Sequence, residues 1–201
     1  SGDPELWSTQ FGAVEVFNDS DFNANRTSSV ADWFALLNAG HTYWATGASD
    51  SHDHRTSPVG YPRTCMRFGH DDPTKLTPEL VRDVLRSGAA TVSGGLYITA
   101  EGPGGIGPGG NASAGSYKVV VQSPSWFSAS EVIVDGTTTE TIPLTGQASA
   151  EPGKRYEATV NVAPSQSSSR HWVVFHARGE GDLSPLHPER KPFAVTNPIF
   201  F

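Results

Sequence analysis

The sequence predicts an α+β chain, with a portion of a β/α barrel over residues 1–89 followed by an antiparallel β-sandwich over residues 90–201. Three observations lead there. A short apolar strand, an amphipathic helix and a second strand follow one another before residue 50, the pattern of a β/α unit. From Ala90 onward short β runs recur every dozen or so residues between Gly, Pro and Ser clusters. With 17% charged residues, 21 Gly and 15 Pro, the composition favours a strand- and loop-rich protein over a helical bundle.

Residues 1–12 are polar with Trp7 and Phe11 embedded, and read as a loop that packs by its aromatics. Ala13 to Phe17 is a strand interrupted by Glu15 and ending at Asn18. Side chains at the carboxyl ends of barrel strands face the active site, so Asn18 is a candidate to bind substrate; it reads equally well as a strand-end turn residue. Ser29-Val30-Ala31-Asp32 opens a helix with a serine cap and an acid three residues on. Val30, Trp33, Phe34 and Leu37 recur on one face, and Gly40 ends the helix. Thr42 to Ala45 is the next strand. Asp53, His54 and Arg55 then lie in a polar loop running to Pro62. Asp71-Asp72-Pro73 is turn chemistry. Thr77 caps a helix with Pro78 at its first position. Leu80, Val81, Val84 and Leu85 face inward until Gly88.

Strands are expected at Thr91–Val92, Tyr97–Ala100, Tyr117–Gln122, Glu131–Val134, Thr139–Pro143, Tyr156–Val162, His171–Ala177 and Phe193–Thr196. Val134-Asp135-Gly136 before a threonine run is a hairpin signal. Tyr156, Ala158, Val160 and Val162 share one face, as in a sheet with one side wet.

The chemistry concentrates at Gly47-Ala48-Ser49-Asp50-Ser51-His52. In extended chain Asp50 and His52 point to one side, roughly 7 Å apart at the backbone. That spacing suits two neighbouring ions with one ligand each. The same residues also read as a turn in which Ser49 and Asp50 bond their own backbone.

Val14-Glu15-Val16-Phe17-Asn18, the helix, and then Gly-Ala-Ser-Asp-Ser-His resemble the last third of a PHP-type metal-dependent hydrolase domain, most closely its CehA/McbA-like branch. Pro62-Arg63-Thr64, Thr77-Pro78-Glu79, Leu85-Arg86-Ser87-Gly88 and Val195-Thr196-Asn197-Pro198-Ile199 extend the resemblance along most of the chain. It implies the C-terminal portion of a distorted barrel. It also implies that Asp50 and His52 are metal ligands, of different ions, in a site of two or three divalent ions (Zn, Mn or Fe). The family's remaining ligands include an early His-x-His pair, which is absent before Asp50. Most ligands are therefore expected from outside this chain, from an N-terminal part of the same protein, either joined to it or as a separate chain. Metal-activated water would then cleave a phosphoester, carbamate or amide bond of a small-molecule substrate. His54 and Arg63 are candidates for the pocket rim, where Arg suits an anionic or carbonyl-bearing substrate. The alternative is a non-catalytic β-sandwich binding or structural module.

Other readings are narrower. A net charge of −7 without a cluster of Lys and Arg argues against nucleic acid as a partner. No apolar run reaches membrane-spanning length, and a soluble chain is expected in a compartment left open. The single cysteine, Cys65, excludes an internal disulfide and reads as a half-buried strand residue, not a nucleophile. Gly105-Ile106-Gly107-Pro108-Gly109-Gly110 matches a dinucleotide fingerprint but lacks a following helix, so it reads as a flexible loop. Ser49 lacks the closing Gly of a nucleophile elbow. Trp126 and Phe127 read as a core pair over a sugar-stacking platform. His171 and His176 face opposite sides and form no joint metal site.

Overall fold

Every residue from Trp172 to Ala177 is buried, on both sides of one strand. A strand covered on both faces lies inside a layered structure. The computed structural model describes residues 8, 10–19, 22–55, 59–136, 140–144, 153–163 and 171–201. Trp7 and the turn residues 137–139, on which two expectations fell, lie outside them.

The strands are β1 (Ala13–Asn18), β2 (Trp44–Ala48), β3 (Arg63–Met66), β4 (Ala90–Gly94), β5 (Tyr97–Glu101), β6 (Gly115–Ser123), β7 (Ser128–Gly136), β8 (Glu140–Pro143), β9 (Lys154–Val162), β10 (Trp172–Glu180), β11 (Phe193–Thr196) and β12 (Ile199–Phe200). The helices are α1 (Phe22–Thr27), α2 (Ser29–Asn38) and α3 (Pro78–Ser87). One antiparallel sheet of seven strands runs β3-β4-β11-β10-β7-β8, with β12 on β10. A second antiparallel sheet runs β5-β6-β9, and β1 and β2 form a parallel pair.

The large sheet is the middle layer. Trp172 and His176 look toward α2, where Phe34 lies 4.8 Å from the Trp172 ring and meets His176 edge-on at 5.9 Å. Phe175, on the opposite face, meets Tyr117 of β6 at 6.1 Å. A sandwich therefore forms, as the alternation in β9 predicts: Tyr156, Val160 and Val162 are buried while Glu157, Thr159 and Asn161 are exposed.

The predicted α+β class with a barrel portion is corrected. Twelve strands against three helices, in mainly antiparallel sheets, make the described structure essentially all-β, and no barrel portion is present. The strand–helix–strand unit itself forms: β1 and β2 pair in parallel, Val14 opposite Ala45. The repeat stops there. β3 turns back to pair antiparallel with β4 across the expected division at residues 89 and 90. A βαβ pattern in sequence does not state how many copies follow it, and the partner of β3 is decided by packing 27 residues downstream, where Arg63 faces Ser93 and Met66 faces Ala90.

Local signals resolve in detail. Thr77 Oγ1 accepts from the Leu80 N–H at 3.1 Å, and Gly88 takes φ 71° at the end of α3. The cap position of α2 is Ser28, not Ser29. Ser29 Oγ instead donates to Val16 O at 2.8 Å and stitches α2 to β1. The glycine-rich loop, expected to be flexible, is laced to the chain's last strand through Gly109 N–H to Pro198 O (2.9 Å) and Phe200 N–H to Gly110 O (3.0 Å).

The small parallel pair is fastened to the large sheet at three points that set where the chain leaves β2 toward Asp50 and His52. The Ala45 N–H donates to Asn197 Oδ1 at 2.6 Å. Thr64 Oγ1 donates to Gly47 O and accepts from its N–H, both at 2.9 Å. Gly47 lies over Val92, where any side chain would meet Val92 Cγ1 at 2.5 Å.

Candidate functional site

β1 and β2 are parallel, so their carboxyl ends form one rim. Asn18 stands opposite Ala48, and the Asp19 N–H donates to Ala48 O at 3.2 Å. Ligand sites in parallel α/β arrangements sit outside such ends. Just beyond the strands come aspartates with positive φ: Asp19, directly after β1, at 26°, and Asp50, two residues after β2, at 44°. Asp tolerates this region better than most residues because its short side chain can bond locally. Each carboxylate meets a base near its strand end, Asp19 with Arg190 and Asp50 with His52.

Asp50 and His52 are brought together. Asp50 Oδ1 lies 3.3 Å from His52 Nε2, with the side chains 54% and 81% exposed. The extended-chain spacing expected for two separate ions does not hold, because β2 ends at Ala48 and the turn at Asp50 folds the imidazole back. Donors bound at about 2.0–2.1 Å to one tetrahedral ion stand ~3.3 Å apart, so the pair fits two positions on a single ion. No group of three or more His, Cys, Asp or Glu is gathered for a metal among the described residues. The donor set fits a metal in kind and falls short in number.

The remaining candidates separate. Asn18 Nδ2 donates to Glu15 Oε1 at 2.6 Å, an interaction with its own strand at the same rim. His54 is exposed in the polar loop, where the Arg55 N–H is held by Asp53 Oδ1 at 2.6 Å. Arg63 opens β3, with Nη1 donating to Gly60 O at 2.8 Å, and lines a separate hollow beside Trp126 and His187.

Sequence reasoning missed a second cluster on this side. Arg190 Nη2 donates to Asp19 Oδ1 at 2.9 Å and its guanidinium lies 5.7 Å from the Tyr61 ring centre. Tyr61 Oη donates to Lys191 O at 2.8 Å, and its ring meets His187 at 5.6 Å. Burial holds His187 below its ordinary pKa. Arg63 and Arg190 push it the same way, and Asp19 opposes them. Asp19 was discoverable as a strand-end acid directly after Asn18. Arg190 and His187 lie in a loop with no periodicity to flag them.

Comparison with protein families, with curated proteins and with solved structures finds no match.

Three further expectations meet the structure here. Trp126 and Phe127 divide instead of packing as a core pair: Phe127 is 5% exposed and Trp126 58%. His171 stacks on Phe201 at 5.5 Å while His176 faces Phe34, so the two do point to opposite sides. Cys65 is half-buried in β3. Among the described residues no helix is long and apolar enough to cross a membrane.

Proposed function

We propose that this chain contributes a carboxylate and an imidazole to the metal site of a metal-dependent hydrolase, with the other ligands supplied from beyond its described residues. The observation that carries the reading is the convergence of Asp50 and His52 to 3.3 Å on the rim of a parallel strand pair. The resemblance to PHP-type hydrolases supplies the reaction class: a phosphoester, carbamate or amide bond in a small-molecule substrate. A bound divalent ion would supply Lewis acidity and an activated water.

This chain's own residues do the positioning. The left-handed turn at Asp50 sets the carboxylate beside the imidazole. Asn197 and Thr64 hold β2 against the large sheet, so the loop leaves from a fixed strand end. Arg190 orients the Asp19 carboxylate at the neighbouring strand end. Both donors stand open to solvent, which leaves room for further ligands from an N-terminal part of the protein.

A second reading, a non-catalytic β-sandwich binding module, is favoured by that same openness and by the predominance of antiparallel sheet. The two part on metal affinity. Titration with Zn²⁺ or Mn²⁺ should show binding that falls at least tenfold in both Asp50→Ala and His52→Ala. Affinity unchanged by either substitution removes the metal-site reading and leaves the binding module.

A further inference from the structure

Four stretches far apart in sequence meet on one side of the sandwich: Arg63 from the start of β3, Gly95 from the bend after β4, Trp126 and Phe127 from the turn between β6 and β7, and Leu186 and His187 from the loop before β11. They enclose a hollow of about 160 Å³. Its floor depends on Gly95, at φ 101°, where a side chain would strike Leu183 at 2.8 Å. Phe127 closes the back.

The mouth is apolar and uncovered. Of the five exposed large hydrophobic side chains among the described residues, Trp126 (58%) and Leu186 (63%) both stand here. Solvated apolar surface gathered at a concavity marks a contact site. The polar groups are cationic or neutral. Arg63 bonds only the carbonyl of Gly60, and no carboxylate pairs with it among the described residues. His187 Nδ1 is buried without a hydrogen-bond partner among them.

These features select a ligand class. A neutral sugar would cover the indole and leave the guanidinium unmatched. A bare phosphate or acetate would match Arg63 and leave Trp126 and Leu186 wet. A cavity of about 150 Å³ takes a six-membered ring, and guanidinium has the fork geometry for carboxylate. We propose that this hollow binds a small cyclic carboxylate, its ring between Trp126 and Leu186 and its carboxylate on Arg63. The site needs neither metal nor turnover, so it stands apart from the hydrolase reading and can fail independently of it.

Benzoate, benzamide and acetate, titrated into the protein by calorimetry and indole fluorescence, test it. Benzoate should bind saturably, in the millimolar range or tighter for so small a ligand. Benzamide, which has the same ring without the charge, should bind at least tenfold more weakly, and acetate should not saturate. Arg63→Gln should weaken benzoate at least tenfold. Trp126→Phe should abolish the fluorescence change, and Trp126→Ala should weaken binding measured by heat. Absence of saturable benzoate binding, equal binding of benzamide, wild-type affinity in Arg63→Gln, or a fluorescence response that survives Trp126→Phe would each overturn the assignment.

Discussion

The side-chain amide of Asn197 takes the place of a neighbouring strand for Ala45, accepting its N–H at 2.6 Å and donating to its carbonyl at 3.3 Å. The same Nδ2 reaches Ala90 O at 3.1 Å. Asn197 is 1% exposed, so water cannot replace it. Replacement by Leu keeps the volume and strands the Ala45 N–H and carbonyl, each costing about 1–3 kcal/mol, while Ala90 O keeps the backbone N–H of residue 197 at 3.4 Å. Asn197→Leu should therefore lower stability by about 3 kcal/mol in urea unfolding. It should also loosen the rim, read as faster amide exchange at Ala45. Stability within about 0.5 kcal/mol of wild type would show that the clasp is dispensable.

How much of this was readable beforehand follows from the range of each interaction. The strand positions of the second half were legible because alternation is local: Tyr156, Val160 and Val162 announce their shared face within seven residues. The capping role of Thr77 was legible for the same reason. Asn197 could be quoted only as part of a resemblance, because its partners lie 152 and 107 residues away. The barrel expectation failed at β3, whose antiparallel choice of β4 no local period expresses. The expected spacing of Asp50 and His52 failed because a single φ of 44° reverses the extended geometry. The hollow under Trp126 was invisible, being assembled from four separate stretches.

Gly47 and Val92 form a close approach of backbone to side chain that fixes how the parallel pair sits on the large sheet. A Cβ at Gly47 would stand 2.5 Å from Val92 Cγ1, and a β-branched side chain has little rotamer freedom to yield. Gly47→Ala should cost about 1–3 kcal/mol through overpacking. In the background of Val92→Ala the same change should cost much less, because the offending methyl is gone. A double-mutant cycle in urea that gives simple additivity would refute the contact.

Arg26 of α1 grips Asp135 of β7 with two parallel hydrogen bonds, both 2.9 Å, across the helix–sheet boundary. The side chains are 25% and 9% exposed, so the carboxylate is the more deeply committed partner. Removing one member leaves the other's charge poorly solvated. Asp135→Ala should destabilise the fold by about 2–4 kcal/mol, and the double variant Arg26→Met/Asp135→Leu should recover much of that loss. A double variant as unstable as Asp135→Ala would mean that the loss comes from packing and not from charge.

His176 lies beside that ion pair and sets a pH dependence. It is wholly buried, and burial, with Arg26 adding to it, holds its pKa well below 6.5. Asp135 Oδ2 stands 3.3 Å from His176 Nε2, but that carboxylate is already engaged by the Arg26 fork. The unfolded chain takes up this proton near the ordinary histidine value and the folded chain does not. Between the two pKa values the unfolded state thus binds more protons, and stability rises with pH. His176 therefore imposes no penalty above pH 6.5, and acidification from there toward its lowered folded value erodes stability. Urea midpoints measured between neutral pH and pH 5 should fall in the wild type and fall less in His176→Leu, which has no proton to gain. An identical acid slope in the two proteins would place the pH dependence elsewhere, His187 being the next group whose burial pushes in the same direction.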